Sequence, residues 1–162
     1  HEAAARLLAP GEMVGGPALF GNATYPVTAS AIEPSVVLCW TASAISTLVD
    51  RYPPLARNLM LAMANRIVEL QDRLRELTTE SVHQRIARAL LRLADQTGTP
   101  TPGGLRIAAR LSRQDLSDMT GTTLFTVSRI LSQWKRDGLL DTGRQKLILR
   151  KPHLLRCIAN EK

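Results

Sequence analysis

The residues whose types and spacing carry the clearest chemistry lie between Leu111 and Gly138, in the run LSRQDLSDMTGTTLFTVSRILSQWKRDG. Ser112 followed at the third position by Asp115 is a reciprocal cap, in which hydroxyl and carboxylate each take a backbone N–H, so a short helix starts there. Leu116 and Met119 supply its buried side, and Gly121 supplies a tight turn where a left-handed backbone costs little. Thr122 or Thr123 then caps a second helix. In it Val127, Ile130, Leu131 and Trp134 recur at helical spacing and face inward. The opposite stripe carries Phe125, Ser128, Arg129, Ser132 and Arg136, with Thr123 and Thr126 at its start. Two short helices around a glycine turn, the second with a polar and basic outer face, form a helix-turn-helix suited to a major groove. The Arg129 fork matches the two acceptors of a guanine edge; a phosphate contact or a surface ion pair is the alternative. Ser112, Arg113 and Gln114 stand at the first helix's N-terminus, where backbone amides attract phosphate; the alternative is a solvated helix end.

Other chemistry is sparse. Leu139–Leu149 reads as two apolar runs around a Thr-Gly turn, a β-hairpin wing that offers Arg144 and Lys146 to a nucleic-acid backbone. His1, His83 and His153 are isolated, with no Cys, Ser or carboxylate at catalytic spacing. The glycine-rich stretch Gly11–Gly21 has neither a dinucleotide-binding nor a P-loop pattern. An enzyme is therefore disfavoured. Cys39 and Cys157 are too far apart and too few for a disulfide framework or a four-ligand zinc site. They read as buried free thiols in a reducing cytosol, which makes the expected location cytoplasmic.

Charge agrees with the motif. The 162 residues carry a net +7, and it is segregated. Residues 1–80 hold 6 basic and 8 acidic side chains; residues 81–162 hold 15 and 6, a net of +9. A basic half is the footprint of a polyanion partner. The chain has only two Phe, two Tyr and two Trp, too few for the stacking platforms that hold single strands, so duplex DNA is the expected partner.

The elements that must position these residues follow. Residues 6–50 are rich in Gly and Pro, with strands expected at Tyr25–Ile32 and Ser35–Trp40. Two strands are not stable alone, and the sequence has no initiator Met and no signal-peptide segment, so it reads as part of a longer chain. No apolar run approaches the ~20 residues of a membrane span. Pro53-Pro54 opens a long helix. Met60, Met63, Ile67, Leu70, Leu74 and Leu77 then occupy the a and d positions of three heptads, a seam that suits a two-stranded coiled coil; a helix packed on its own domain is the alternative. Thr78–Ser81 is the expected boundary between halves. Val82–Asp95 is an amphipathic helix with Val82, Ile86, Ala89, Leu90 and Leu93 inward, Gln96–Gly104 a loop, Leu105–Ala109 a short strand, and Pro152–Ala159 a closing helix.

Taken in order, these parts resemble the cyclic-AMP receptor protein / fumarate-nitrate reduction regulator (CRP/FNR) family. LSRQDLSDMTGTT followed by TVSRIL is similar to the family's helix-turn-helix signature, and the heptad helix looks like its dimer helix. Gly11-Glu12-Met13-Val14-Gly15 looks like a turn of its effector-domain β-roll. The resemblance implies an α+β protein: the C-terminal part of a cyclic-nucleotide-binding-like β-roll over 1–50, a dimerisation helix over 51–80, and a winged helix-turn-helix domain over 81–162. It implies a homodimeric regulator that reads a palindromic duplex site, an effector pocket at Gly11, Glu12, Tyr25 and Thr28, and an RNA polymerase contact at Gln96–Gly104.

Two departures matter. Well-known members carry an acidic residue directly before the Thr of TVSR; here that residue is Phe125. A phenyl ring takes no hydrogen bond from cytosine, but it can pack on a thymine methyl, or else between the two helices. Second, cyclic-nucleotide sensors of the family hold the phosphate with an Arg-Ser pair, whereas Thr24–Ser30 has no basic residue. A buried phosphate without a cation is costly, so tight cyclic-AMP binding is not expected. There is no cysteine cluster for an iron–sulfur centre either. Relatives with LFTVSR and a GRQ-type wing include regulators of nitrogen-oxide and anaerobic metabolism, which leaves haem or nitric oxide open as signals. The competing reading is an effector-binding or dimerising module that has lost specific DNA binding.

Overall fold

The computed structural model describes residues 7–16, 28–32, 34–107, 111–143 and 146–161. The chain divides into two compact units, one centred on Pro10–Leu74 and the other on Arg75–Lys162.

In the first unit, Ser35–Trp40 forms no strand. Val36 is 94 % exposed, and Val37, Leu38 and Trp40 are exposed beside it. Its β-branched composition favours a strand, but a strand needs a hydrogen-bonding neighbour, and none is present among the described residues. The part of Tyr25–Ile32 that is described, Thr28–Ile32, is likewise without regular structure; Tyr25 lies outside the described residues. Helix α1 (Ala42–Arg51) occupies a stretch read from sequence as part of a β-rich region. Thr41 starts it by accepting a hydrogen bond from the Ala44 N–H at 3.2 Å. Helix α2 (Pro53–Thr79) is the expected long helix. Of its heptad seam, Met60, Ile67, Leu70, Leu74 and Leu77 are exposed and Met63 is half-buried. Cys39 and Cys157 are both exposed rather than buried: Cys39 sits in the extended stretch before α1, and Cys157 on a solvent-facing side of the last helix.

The second unit is assembled on α3 (Val82–Thr97), whose Ile86, Ala87, Ala89, Leu90, Leu93 and Ala94 are buried. Ser81 and Gln84 close a full capping box at its start. Gln96–Gly104 is not a loop. Most of it forms a hairpin of β1 (Gly98–Thr101) and β2 (Gly104–Ile107), turning at Pro102-Gly103. Pro100 is tolerated because β1 is an edge strand. Gly104 is required by position: its φ is +126°, and a Cβ there would strike the backbone of Leu149 and Arg150. Helices α4 (Arg113–Thr120) and α5 (Leu124–Arg136) follow, then β3 (Leu140–Gly143), β4 (Lys146–Leu149) and α6 (Pro152–Ala159). The sheet is antiparallel in the order β1-β2-β4-β3. Thr142 and Gly143 are not the turn of the hairpin but belong to β3, where they pair with Leu147 and Lys146. The core joins Ile86, Leu90 and Leu93 to Leu116, Val127, Ile130, Leu131, Trp134, Leu140, Leu149 and Leu155.

Candidate nucleic-acid interface

The turn between α4 and α5 is fixed by local hydrogen bonds. The Asp115 N–H donates to Ser112 Oγ at 3.0 Å, and the Ser112 N–H donates to Asp115 Oδ2 at 2.7 Å. Gly121 is left-handed, with φ 59° and ψ 44°. Its N–H donates to the Ser117 carbonyl, as does that of Thr122, and the Ser117 hydroxyl donates to the Thr122 carbonyl at 3.0 Å. Of the two threonines read as caps, Thr123 caps α5, accepting from the Thr126 N–H at 3.1 Å. Buried Val127, Ile130, Leu131 and Trp134 then fix the rotation of α5.

That rotation turns the reading stripe outward. Phe125, Arg129 and Arg136 are exposed, and Thr126, Ser128 and Ser132 are half-buried. Phe125 is 77 % exposed, which removes packing between the helices as its role. Arg113 is exposed at the start of α4, whereas the Gln114 amide is engaged by Asp118 Oδ1 at 2.8 Å. The Ser112 and Thr123 hydroxyls serve as caps and can still donate their O–H outward. Arg144 and the Lys146 side chain lie outside the described residues; the Lys146 backbone opens β4 opposite Gly143.

Sequence reasoning missed two features. The wing is tied to α5: Lys135 Nζ donates to the Thr142 carbonyl at 2.9 Å and pairs with Asp141 at 3.1 Å. Arg150 pairs with Asp141 from the other side at 3.3 Å. The hydrogen bond from Lys135, then that from Arg150, hold the Asp141 carboxyl below its ordinary value. Second, Arg85, Arg88 and Arg92, recurring along one stripe of α3, grip the end of α2 and the turn. Arg85 donates to the Thr120 and Glu80 carbonyls at 2.9 Å each, Arg88 pairs with Glu80 at 2.9 Å, and Arg92 pairs with buried Glu76 at 2.5 Å. Their three- and four-residue spacing was the available signal.

In the first unit, Gly11 lies in a turn with Pro10, Glu12 follows it, and Thr28 is exposed. Tyr25, the fourth residue of the expected effector pocket, lies outside the described residues.

The second unit is thus a winged helix-turn-helix domain that follows directly on a long heptad helix, the class of module found in DNA-binding regulators. Comparison with known proteins makes this particular. Residues 84–158 match the Crp-like helix-turn-helix domain, and residues 1–52 match the cyclic nucleotide-binding domain. The chain is 31 % identical to the cyclic AMP receptor protein of Thermus thermophilus, over 94 % of this chain and 68 % of that protein. It is 28 % identical to the transcriptional activator protein anr of Pseudomonas aeruginosa, over 86 % of this chain and 57 % of that one. The solved structure of FixK2 from Bradyrhizobium japonicum superposes with a TM-score of 0.66 at 27 % identity, covering 75 % of this chain and 60 % of that one. The chain therefore belongs to the CRP/FNR family of transcription regulators. It spans between about half and two-thirds of the length of these relatives. No helix among the described residues is long and apolar enough to cross a membrane.

Proposed function

We propose that this chain acts as a cytoplasmic, homodimeric, sequence-specific reader of duplex DNA, in which an effector domain sets the two recognition helices. The observation that carries the reading is the outward stripe of α5, with Phe125 and Arg129 exposed on a helix whose other face is locked into the core. Arg129 reads a guanine edge, and Arg113 with the backbone amides of α4 holds phosphate. The wing at Arg144 and Lys146 lies along the DNA backbone. Met60, Met63, Ile67, Leu70, Leu74 and Leu77 pair α2 with its copy, so the two recognition helices meet half-sites about one helical turn apart, and the operator is a palindrome. The β1–β2 hairpin is the surface offered to RNA polymerase.

The test is selection from a randomised duplex pool at low and at physiological salt. A palindromic consensus with half-sites roughly 10 bp apart supports the reading. Binding without enrichment that vanishes as salt rises contradicts it and favours a module that has lost specific reading.

A further inference from the structure

Residues 75–162 contain two aromatic side chains. Trp134 is 4 % exposed and belongs to the core; Phe125, on the same helix, is 77 % exposed. A phenyl ring turned to water forgoes the gain that burial gives its neighbours. Phe125 lies in the first turn of α5, the part of a recognition helix that reaches base edges first. The two threonine hydroxyls at the start of the helix bond to each other and to its backbone, leaving a single O–H free to donate. Thr123 Oγ1 accepts the Thr126 N–H, and one of the two threonine hydroxyls donates to the other at 2.9 Å. The first turn contains no acidic residue, and neighbouring Leu124 is 46 % exposed. The side chains that this turn exposes, Leu124 and Phe125, are apolar, while Arg129 one turn on supplies charge for a polyanion.

In a major groove only the thymine C5-methyl group is apolar; every other edge presents donors or acceptors that a phenyl ring would desolvate without satisfying. We infer that Phe125, with Leu124 beside it, is a specificity residue that packs on a thymine methyl. This rests on the DNA-binding reading above and names the base feature it recognises. The position is also set. Four helical residues rise ~6 Å, and base pairs are spaced by ~3.4 Å, so the thymine lies within about two base pairs of the guanine read by Arg129.

The test uses the full chain and two randomised duplex pools, one synthesised with thymidine and one with deoxyuridine, which lacks only the methyl. The thymidine pool should yield a consensus with thymine fixed within about two base pairs of the guanine that Arg129→Ala relaxes. Replacing that thymine by uracil should weaken binding about three- to tenfold, the scale of one lost methyl contact. A 5-methylcytosine·guanine pair at the position should bind more tightly than cytosine·guanine. Phe125→Ala should erase the thymine–uracil difference, and Phe125→Leu should keep part of it. Unchanged circular dichroism of both variants, expected for so exposed a residue, shows that they fold. Equal affinity for thymine and uracil sites, or a difference that survives Phe125→Ala, overturns the inference and leaves specific DNA reading standing. Enrichment from neither pool overturns both.

Discussion

Arg129 and Arg113 are both exposed, yet they should fail differently when removed. On the proposed reading of a guanine edge, Arg129→Ala should cost about 1–3 kcal/mol on the selected site and relax preference at one base pair. Arg113→Ala deletes charge at a helix end, so it should weaken all sequences alike and lower the salt slope by about one. Measuring affinity against salt on matched and scrambled duplexes separates them; a base-specific loss for Arg113→Ala would reassign its role. At this scale residue identity was legible but residue state was not. The inward set Val127, Ile130, Leu131 and Trp134 could be read from periodicity because a helix repeats its faces. The exposure of Phe125 could not, since a phenyl ring is apolar wherever it sits. The exposure of Cys39 and Cys157 departed from the usual burial of free thiols for the same reason: burial depends on partners the local sequence does not name.

At the scale of elements, the helix-turn-helix is held by caps that each invite a test. Ser112→Ala removes one side of the α4 capping box and should cost about 1 kcal/mol in unfolding free energy by denaturant titration. Gly121→Ala should cost more, because the backbone is left-handed and an added Cβ would also press on Leu77 Cδ2. The same titration showing Gly121→Ala no worse than Ser112→Ala would mean the turn relaxes freely. The wing makes a prediction in pH. Asp141 is held below its ordinary value of 3.8, first by the hydrogen bond from Lys135. A lowered carboxyl contributes its anchoring above that ordinary value and loses it as pH falls through the native one. The Lys135 and Arg150 contacts should therefore persist from neutral pH down through the ordinary value of 3.8 and be lost only as pH falls further, through the lowered native value, as followed by NMR titration of the Asp141 carboxyl. Asp141 lies at the surface with its carboxyl in reach of solvent, so the effect falls on wing position rather than on global stability. These caps were visible in sequence because each is a pattern three residues wide. The β1–β2 hairpin was not. Its Thr-Pro-Thr-Pro-Gly-Gly composition argues for a loop, and only pairing of β2 with β4, some forty residues away, makes it a sheet. Helix α1 was hidden by glycine- and proline-rich neighbours, although Thr41 before Ala42-Ser43-Ala44 was a capping signal.

For the whole molecule, α2 is the element that links folding to pairing. Its heptad apolar side chains stand largely in solvent, while its last turn is gripped by arginines of α3. The grip is polar and partly buried. Glu76 is 6 % exposed, so Arg92→Ala leaves a carboxylate without its partner and should cost about 1–3 kcal/mol of stability in the second unit. The seam is different in kind. Leu70→Lys with Leu74→Lys replaces apolar surface by charge at positions already exposed in one chain, so folding of a single chain should change little. Pairing of two chains should change greatly, since a heptad seam is stable only when each apolar knob has a facing hole. Sedimentation should then show the double variant as a monomer where the native chain is a dimer. Its affinity for one isolated half-site should be unchanged, and its affinity for the full palindrome should fall toward the half-site value, because the second contact is no longer held at high effective concentration. A double variant that stays dimeric would move the interface off the heptad seam, and one that binds the palindrome as tightly as the native chain would show that a single recognition helix suffices.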